Sequence, residues 1–186
     1  MNDKRIFPRT AVPQLQLPMT DGSRFDLRKA LDETENFHIL LFYRGWHCPV
    51  CQQQLKAWDK KMDEFESLGV SVTAVSSDTE ERGRQTVEDW GLEHIPVAYG
   101  LPLDIAKEAW GLYVSKAIKD KEADYFSEPG LFIIRPNGML FASNIQTMPF
   151  ARPPLDEVLN AIRFALKNDY PGRGEVSEVP ASALKE

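Results

Sequence analysis

The pattern of hydrophobic and polar residues predicts strands and helices in alternation. Residues 37–43 form a largely apolar run, which is typical of a strand buried on both faces near the centre of a sheet. Residues 70–75 alternate and predict a second strand. Between these strands, apolar side chains recur at helical spacing from Pro49 to a stop at Gly69, and a further helix follows at residues 79–90. The order strand, helix, strand, helix predicts a βαβ unit.

Turn residues define the rest of the pattern. Asp21-Gly22 predicts a hairpin within residues 15–27, and Asn137-Gly138 predicts another within residues 131–143, because both dipeptides supply the positive φ of a tight turn. The remaining predicted elements are a short strand at residues 96–99, a helix at residues 104–114 and a closing helix at residues 155–166. Residues 115–127 are too polar to assign.

These elements predict one mixed α/β domain, with a central sheet, flanking helices and an N-terminal β-hairpin. We place the domain at residues 13–169, after an N-terminal extension at residues 1–12. Residues 170–186 carry few large apolar side chains, so the surface they can bury does not offset the entropy of ordering them. We therefore expect a mobile C-terminal tail.

Composition narrows the function classes. The chain carries 28 acidic and 22 basic residues, a formal net charge of -6, which repels nucleic acid and anionic lipid headgroups. No apolar run approaches the roughly 18 residues of a membrane span, and the first residues do not have the pattern of a secretory signal. We expect no nucleic-acid or membrane partner and a cytoplasmic location.

The two cysteines carry the candidate chemistry. Cys48 and Cys51 lie at the start of the helix that follows the first buried strand, where unpaired backbone N–H groups and the helix dipole stabilise a thiolate. Pro49 fits the first helical turn because its fixed φ is helical and it has no N–H to leave unpaired. The spacing brings the two sulfurs close enough to cycle between dithiol and disulfide. We predict redox chemistry rather than two structural cysteines or half of a zinc site.

Three neighbours are candidate supporting residues, each with an ordinary alternative. Arg44 is a fixed positive charge that would favour a thiolate, or a side chain solvated at the strand end. His47 would lower a cysteine pKa when protonated, or is merely exposed beside a turn. Trp46 would form an apolar lip around the sulfurs, or packs beneath the loop.

At this point the chain resembles the alkyl hydroperoxide reductase/thiol-specific antioxidant branch of thioredoxin-fold proteins, the peroxiredoxins and their relatives. The segments that carry the resemblance are LPMTDGSRFDL at 17–27, FYRGWHCPVC at 42–51, VSSD at 75–78, AWGL at 109–112, LFIIRPNG at 131–138 and the closing helix. The resemblance implies a thioredoxin-like fold and a thiol-based oxidoreductase without metal or flavin.

The motif departs from the family pattern Pro-x-x-x-Thr-x-x-Cys. The matching positions hold Arg44, Cys48 and Cys51, so Cys51 falls at the position of the peroxidatic cysteine and Cys48 replaces the threonine that orients peroxide. Near residues 128–132 peroxiredoxins place an arginine and thioredoxins a cis-proline, whereas this chain has Pro129. The resemblance therefore implies a cis Glu128-Pro129 bond against Cys48, which would expose a backbone edge for a substrate disulfide.

Three functions follow from these features. The first is thiol/disulfide exchange at Cys48 and Cys51, with a protein or a small thiol as partner. The second is a peroxidase that reduces hydroperoxides with Cys51 as the peroxidatic residue and Cys48 as the resolving one. A function of another class, copper carriage, is known for thioredoxin-fold proteins that use a cysteine pair and a distant histidine.

Overall fold

A computed structural model describes residues 5–180 and 183, and its strands and helices follow the predicted order. The strands are β1 (Gln16–Pro18), β2 (Arg24–Asp26), β3 (Phe37–Phe42), β4 (Val70–Val75), β5 (Val97–Ala98), β6 (Val114–Lys116), β7 (Tyr125–Ser127), β8 (Gly130–Ile134) and β9 (Leu140–Ile145). The helices are α1 (Leu27–Asp32), α2 (Pro49–Asp59), α3 (Met62–Ser67), α4 (Glu80–Trp90) and α5 (Leu155–Asn168), and a single π-helical turn spans Ile105–Ala109. None of these helices is long and apolar enough to cross a membrane.

The central sheet has five strands in the order β5-β4-β3-β8-β9. β3 runs parallel to β4 and antiparallel to β8, and every residue of β3 is buried. β1 pairs with β2, and β6 pairs with β7, in two separate ribbons. The sheet, the flanking helices and the N-terminal hairpin confirm the predicted fold class.

Alternation along β3 sends its side chains into two cores. Ile39 and Leu41 face a core built with α2, α3, α4 and α5. Leu40 and Phe42 face the other core, built with α1, the π-helical turn and the N-terminal hairpin. Each fully buried side chain of this size contributes about 1.5–3 kcal/mol relative to an exposed one. The strand that leads to the cysteines is thus fixed from both sides.

The structure differs from the predicted elements in three places. α1 was not predicted, and the helix expected to run from Pro49 toward Gly69 breaks into α2 and α3. The break follows Asp59, a buried carboxylate that accepts hydrogen bonds from the backbone N–H groups of three residues after α4. The helix expected at residues 104–114 is only the π-helical turn, and Gly111 follows it at φ 67°. Residues 115–127, left unassigned, complete the β6-β7 ribbon.

The two ends of the described chain contact each other. Arg9 donates to the carbonyl of Gly172 at 3.0 Å and lies 3.5 Å from a carboxylate oxygen of Glu175. Arg135 donates to the carbonyl of Tyr170 at 3.1 Å. The predicted domain boundaries and the mobility of the tail stay predictions, and residues 1–4, 181–182 and 184–186 lie outside the described part.

Candidate active site

The loop between β3 and α2 delivers both cysteines to one place. Gly45 has φ 137°, and a side chain there would put its Cβ 2.7 Å from a carboxylate oxygen of Asp78. Asp78 follows β4 and accepts the backbone N–H of Trp46 at 2.8 Å. A glycine is required at this turn because only glycine combines that φ with such a close approach. The end of β4 thereby fixes the loop that leads to Cys48.

Cys48 is the N-cap of α2, and its sulfur takes the place of a capping oxygen. Its Sγ accepts the backbone N–H of Cys51 at 3.3 Å, and Pro49 occupies the first turn as predicted. Both cysteines are free thiols. Cys48 is 1% exposed and Cys51 is 0% exposed, so a substrate has no open path to either sulfur in this conformation.

The pKa values of the two thiols are shifted in opposite directions. The pKa of Cys48 is lowered from 9.0 to about 6, mainly by hydrogen bonding from the Cys51 thiol, with help from the Cys51 backbone N–H and from Arg152 and Arg44. The pKa of Cys51 is raised, because burial penalises its charge and because its thiol proton is held by Cys48. The pair therefore loses one proton easily and the second with difficulty, and the two sulfurs share the remaining proton.

Arg152 is a site residue that the sequence analysis did not identify. It precedes α5, and its Nη2 donates to Cys51 Sγ at 3.1 Å. Its Nε donates to the carbonyl of Pro149 at 2.7 Å, and its Nη1 donates to the Gln54 side chain on α2. No local pattern marks an arginine 101 positions away from its sulfur. The resemblance implies an arginine near residues 128–132, whereas the guanidinium beside Cys51 comes from the loop before α5.

Arg44 is not solvated at the strand end. Its side chain is only 13% exposed, and its Nε lies 3.1 Å from a carboxylate oxygen of Glu128, with Glu122 at 3.7 Å from Nη2. Its guanidinium also stacks on Phe126 of β7, 4.6 Å from the ring centre. Its hydrogen bonding lowers the Cys48 pKa. Arg44 thus lies in a largely buried ion-pair cluster beside Cys48, and its role toward the thiolate stays a prediction.

Trp46 and His47, the two residues before Cys48, contact α4 and β7 respectively. The Trp46 indole donates to a carboxylate oxygen of Asp89 at 2.8 Å, and its ring is half-buried. The His47 ring packs 4.8 Å from the Phe126 ring centre. Burial and the charge of Arg44 lower the His47 pKa to about 4. A neutral His47 adds no positive charge at neutral pH, and its ring nitrogens are buried rather than exposed beside the turn.

The cis-proline prediction is wrong. The Glu128-Pro129 bond is trans. Pro129 is buried, and its carbonyl accepts the backbone N–H of Gln146 at 2.9 Å, while the N–H of Glu128 donates to Tyr113 at 2.7 Å. The backbone at this position is already paired within the protein, so it offers no edge to a substrate disulfide.

The geometry of the described residues does not favour copper carriage. Within residues 5–180 and 183, no group of three or more His, Cys, Asp or Glu side chains is arranged to hold a metal ion. His38, the histidine on β3, bonds through Nδ1 to the Ser71 hydroxyl at 2.6 Å, and burial lowers its pKa to about 4. It takes part in a local hydrogen-bond chain on the opposite side of β3 from the core that contains the cysteines.

A buried cysteine pair at a helix N-terminus, with a guanidinium against one sulfur, defines a thiol-based redox protein on a thioredoxin-like scaffold. The family description "AhpC/TSA family" matches residues 8–143. A protein of Pyropia yezoensis named as a peroxiredoxin, ycf42, is 30% identical over 158 residues, covering 82% of this chain and 76% of that protein. The chain belongs to the AhpC/TSA family and is a thiol-dependent peroxidase or oxidoreductase.

Solved structures share the fold. PrxQ of Xylella fastidiosa, as a cysteine-to-serine mutant, superimposes with a TM-score of 0.70 at 17% identity and covers 87% of this chain and 98% of its own. The mitochondrial 2-Cys peroxiredoxin of Plasmodium falciparum has a TM-score of 0.68 at 22% identity, with 92% and 99% covered. These similarities establish the fold alone, and the chemistry rests on the family and the site.

Proposed function

We propose that this protein reduces hydroperoxides, with Cys51 as the attacking cysteine and Cys48 as the resolving one. The observation that carries the proposal is the Arg152 guanidinium 3.1 Å from Cys51 Sγ, inside a site closed to bulk solvent. Cys51 also stands at the position of the family's peroxidatic residue. A fixed guanidinium in a water-excluded site stabilises charge that develops on sulfur and on the peroxide oxygens.

The reaction balances within the pair. Cys48, as the thiolate, accepts the Cys51 thiol proton, and the Cys51 thiolate attacks one peroxide oxygen. The O–O bond breaks, the leaving oxygen takes up a proton to give an alcohol or water, and Cys51 becomes a sulfenic acid. Cys48 sulfur then attacks Cys51 sulfur, the S–O bond breaks and water leaves, giving a disulfide. Overall, one dithiol and one hydroperoxide give one disulfide, one alcohol and one water.

Thiol/disulfide exchange with another protein is the second candidate. The lowered pKa of Cys48 favours it, since a thiolate at a helix N-terminus is the nucleophile of such exchange. Two observations count against a protein substrate: both sulfurs are at most 1% exposed, and the backbone around Pro129 is already hydrogen bonded. A hydroperoxide needs a much smaller opening than a folded protein does.

Peroxide oxidation of single-cysteine variants tests both the reaction and the assignment. The reduced wild type, Cys48→Ser and Cys51→Ser are mixed with hydrogen peroxide in a stopped-flow instrument, and sulfenic acid is trapped with a dimedone probe. We expect wild-type oxidation far faster than that of a free thiol. Cys48→Ser loses the sulfur that accepts the Cys51 proton, so it should be slower than the wild type, but it should still accumulate trapped sulfenic acid and react faster than Cys51→Ser.

The other outcomes are informative. A fast Cys51→Ser and a slow Cys48→Ser would keep the peroxidase function but reverse the roles of the two cysteines. A wild-type rate no better than that of a free thiol would remove the peroxidase function. In that case, accumulation of a mixed disulfide with a protein substrate in one variant would support the exchange function.

We further propose that a thiol reductant returns the disulfide to the dithiol and that the protein works in the cytoplasm. A reducing compartment suits a pair that must be reset after each turnover. Mass spectrometry of alkylated protein from rapidly quenched cells tests this. The pair should be mostly reduced at rest and should gain the Cys48–Cys51 disulfide after peroxide addition, and a permanently oxidised pair would contradict it.

A further inference from the structure

The sulfur of Cys48 caps α2, and this cap depends on its redox state. Cys48 Sγ accepts the backbone N–H of Cys51, one of the first-turn donors that have no partner within the helix. A thiolate at this point also gains from the positive end of the helix. A disulfide sulfur has no charge and accepts hydrogen bonds weakly, so the same contacts stabilise the dithiol much more than the disulfide.

The two arginines act in the same direction. Arg152 donates to Cys51 Sγ and also lowers the Cys48 pKa, and Arg44 is held beside Cys48 by Glu128. Their positive charges are fixed in both redox states. Only the reduced pair carries a negative charge for them to stabilise, so the attraction between the guanidinium groups and the thiolate is lost on oxidation to the disulfide. Thiolate stabilisation of this kind makes a disulfide a stronger oxidant.

We infer that the Cys48–Cys51 disulfide is oxidising enough for a small monothiol to reduce it without a dedicated dithiol protein. The role of this reduction in a catalytic cycle rests on the proposed peroxidase function, but the redox equilibrium of the disulfide does not. A monothiolate attacks Cys51 Sγ, the S–S bond breaks and Cys48 leaves as the stabilised thiolate. A second monothiolate attacks the sulfur of the bound small thiol, and Cys51 leaves and takes up a proton. Two monothiols become one small disulfide.

The shape of the site also favours a small reductant. A cavity of about 260 Å³ lies on the Cys48 side and is lined by Trp46, His47 and Gln52. A second cavity of about 300 Å³ lies between α2 and the loop that carries Arg152. Neither cavity is lined by a cysteine, and both sulfurs are buried, so any reductant needs a local opening of the site, and a small monothiol needs a smaller one than a folded domain does.

The size of the effect follows from the acidity of Cys48. With the pKa at about 6 in place of 9.0, the dithiol form gains roughly tenfold at pH 7 relative to an unperturbed pair. For a two-electron couple, a tenfold change in the equilibrium is about 30 mV. The raised pKa of Cys51 adds little at this pH, because a normal thiol is already protonated there.

A glutathione redox titration tests the inference. The full-length chain is equilibrated with mixtures of glutathione and glutathione disulfide from pH 5 to pH 9, and the dithiol fraction is measured by alkylation and mass. The same chain in denaturant is the reference. At pH 7 the folded dithiol should be favoured roughly tenfold over the unfolded one, and the protons taken up per disulfide reduced should change from two to one near pH 6.

Two variants separate the local effect from a general one. Arg152→Met should move the equilibrium toward the disulfide, whereas Arg163→Met, which removes an exposed arginine paired with Glu64, should leave it unchanged. A folded equilibrium equal to the unfolded one, or a proton break near pH 9, would overturn the inference. So would a disulfide that a dithiol protein such as thioredoxin reduces but that glutathione does not.

This result is separable from the proposed function. If peroxide fails to oxidise the pair while the glutathione titration shows the expected shift, the peroxidase function fails and the oxidising disulfide stands. If peroxide oxidises the pair rapidly while the folded and unfolded equilibria agree, the peroxidase function stands and the monothiol inference fails.

Discussion

Replacing Arg152 tests the central contact of the site. Arg152→Met removes the charged donor from Cys51 Sγ and leaves a side chain of similar length in the loop before α5. Arg152→Lys keeps the charge but has no planar fork, so it is unable to serve Cys51, Gln54 and the Pro149 carbonyl together. The two variants separate the contribution of charge from that of geometry.

The expected magnitude follows from the hydrogen bond. Hydrogen bonds to charged groups contribute about 1.5–3 kcal/mol, and each 1.4 kcal/mol is a factor of about ten in rate. If the guanidinium acts in the transition state, Arg152→Met should lower the second-order rate constant for hydrogen peroxide by roughly 10- to 100-fold. Arg152→Lys should fall between Arg152→Met and the wild type. The pKa of the reactive thiol should rise in Arg152→Met, because a positive charge beside the pair is lost.

Stopped-flow oxidation from pH 5 to pH 9 supplies both quantities, the rate constant at high pH and the apparent pKa of the reactive thiol. Arg163→Met is the matched control, an arginine on α5 that contacts Glu64 and not the cysteines. Its rate constant and apparent pKa should match those of the wild type. An unchanged rate and pKa in Arg152→Met would show that the guanidinium does not act on the reactive thiol, and an equal loss in the control would show that the effect is not local.

Three further predictions concern stability, each measured by denaturant unfolding. Gly45→Ala should destabilise the fold by roughly 2 kcal/mol or more, because the φ of 137° and the close approach to Asp78 exclude a side chain. Gly138→Ala is the control and should cost less, because there is open space around Gly138. Equal costs for the two variants would contradict this prediction. Asp59→Ala should cost about 2–4 kcal/mol, since three backbone N–H groups after α4 lose their acceptor, and a loss below 1 kcal/mol would argue against that anchor. His38 has a pKa lowered from 6.5 to about 4 by burial, so the unfolded chain takes up a proton first as pH falls, and stability is lost below about pH 6.5. Between pH 7.5 and pH 5 this loss is about 2 kcal/mol, and His38→Asn should remove it from the pH profile; an unchanged profile would contradict the assignment.

Local signals account for the parts of the fold that were predicted correctly. The apolar run of β3 has one favourable environment, the middle of a sheet, and Asn137-Gly138 specifies the turn between β8 and β9. Gly91 ends α4 at φ 61°, as the sequence indicates, whereas the N-cap is Thr79, which the sequence analysis places inside the helix. α1 was missed because it is only six residues long, and its N-cap, Asp26, lies in a segment predicted to be extended.

The sequence alone determined that a redox cysteine pair sits at the start of a helix behind a buried strand. Helix capping, the fixed φ of proline and the hydrophobic period act within a few residues. The position of Cys48, Pro49 and Cys51 at the start of a helix is therefore predictable from the local sequence. The surroundings of the two sulfurs depend on contacts between distant parts of the chain. Arg152 contacts Cys51 from 101 positions away in the sequence. The Glu128-Pro129 peptide bond is trans, and the Pro129 carbonyl accepts a backbone hydrogen bond. Such contacts depend on which chain segments the sheet brings together, and no local pattern encodes that choice.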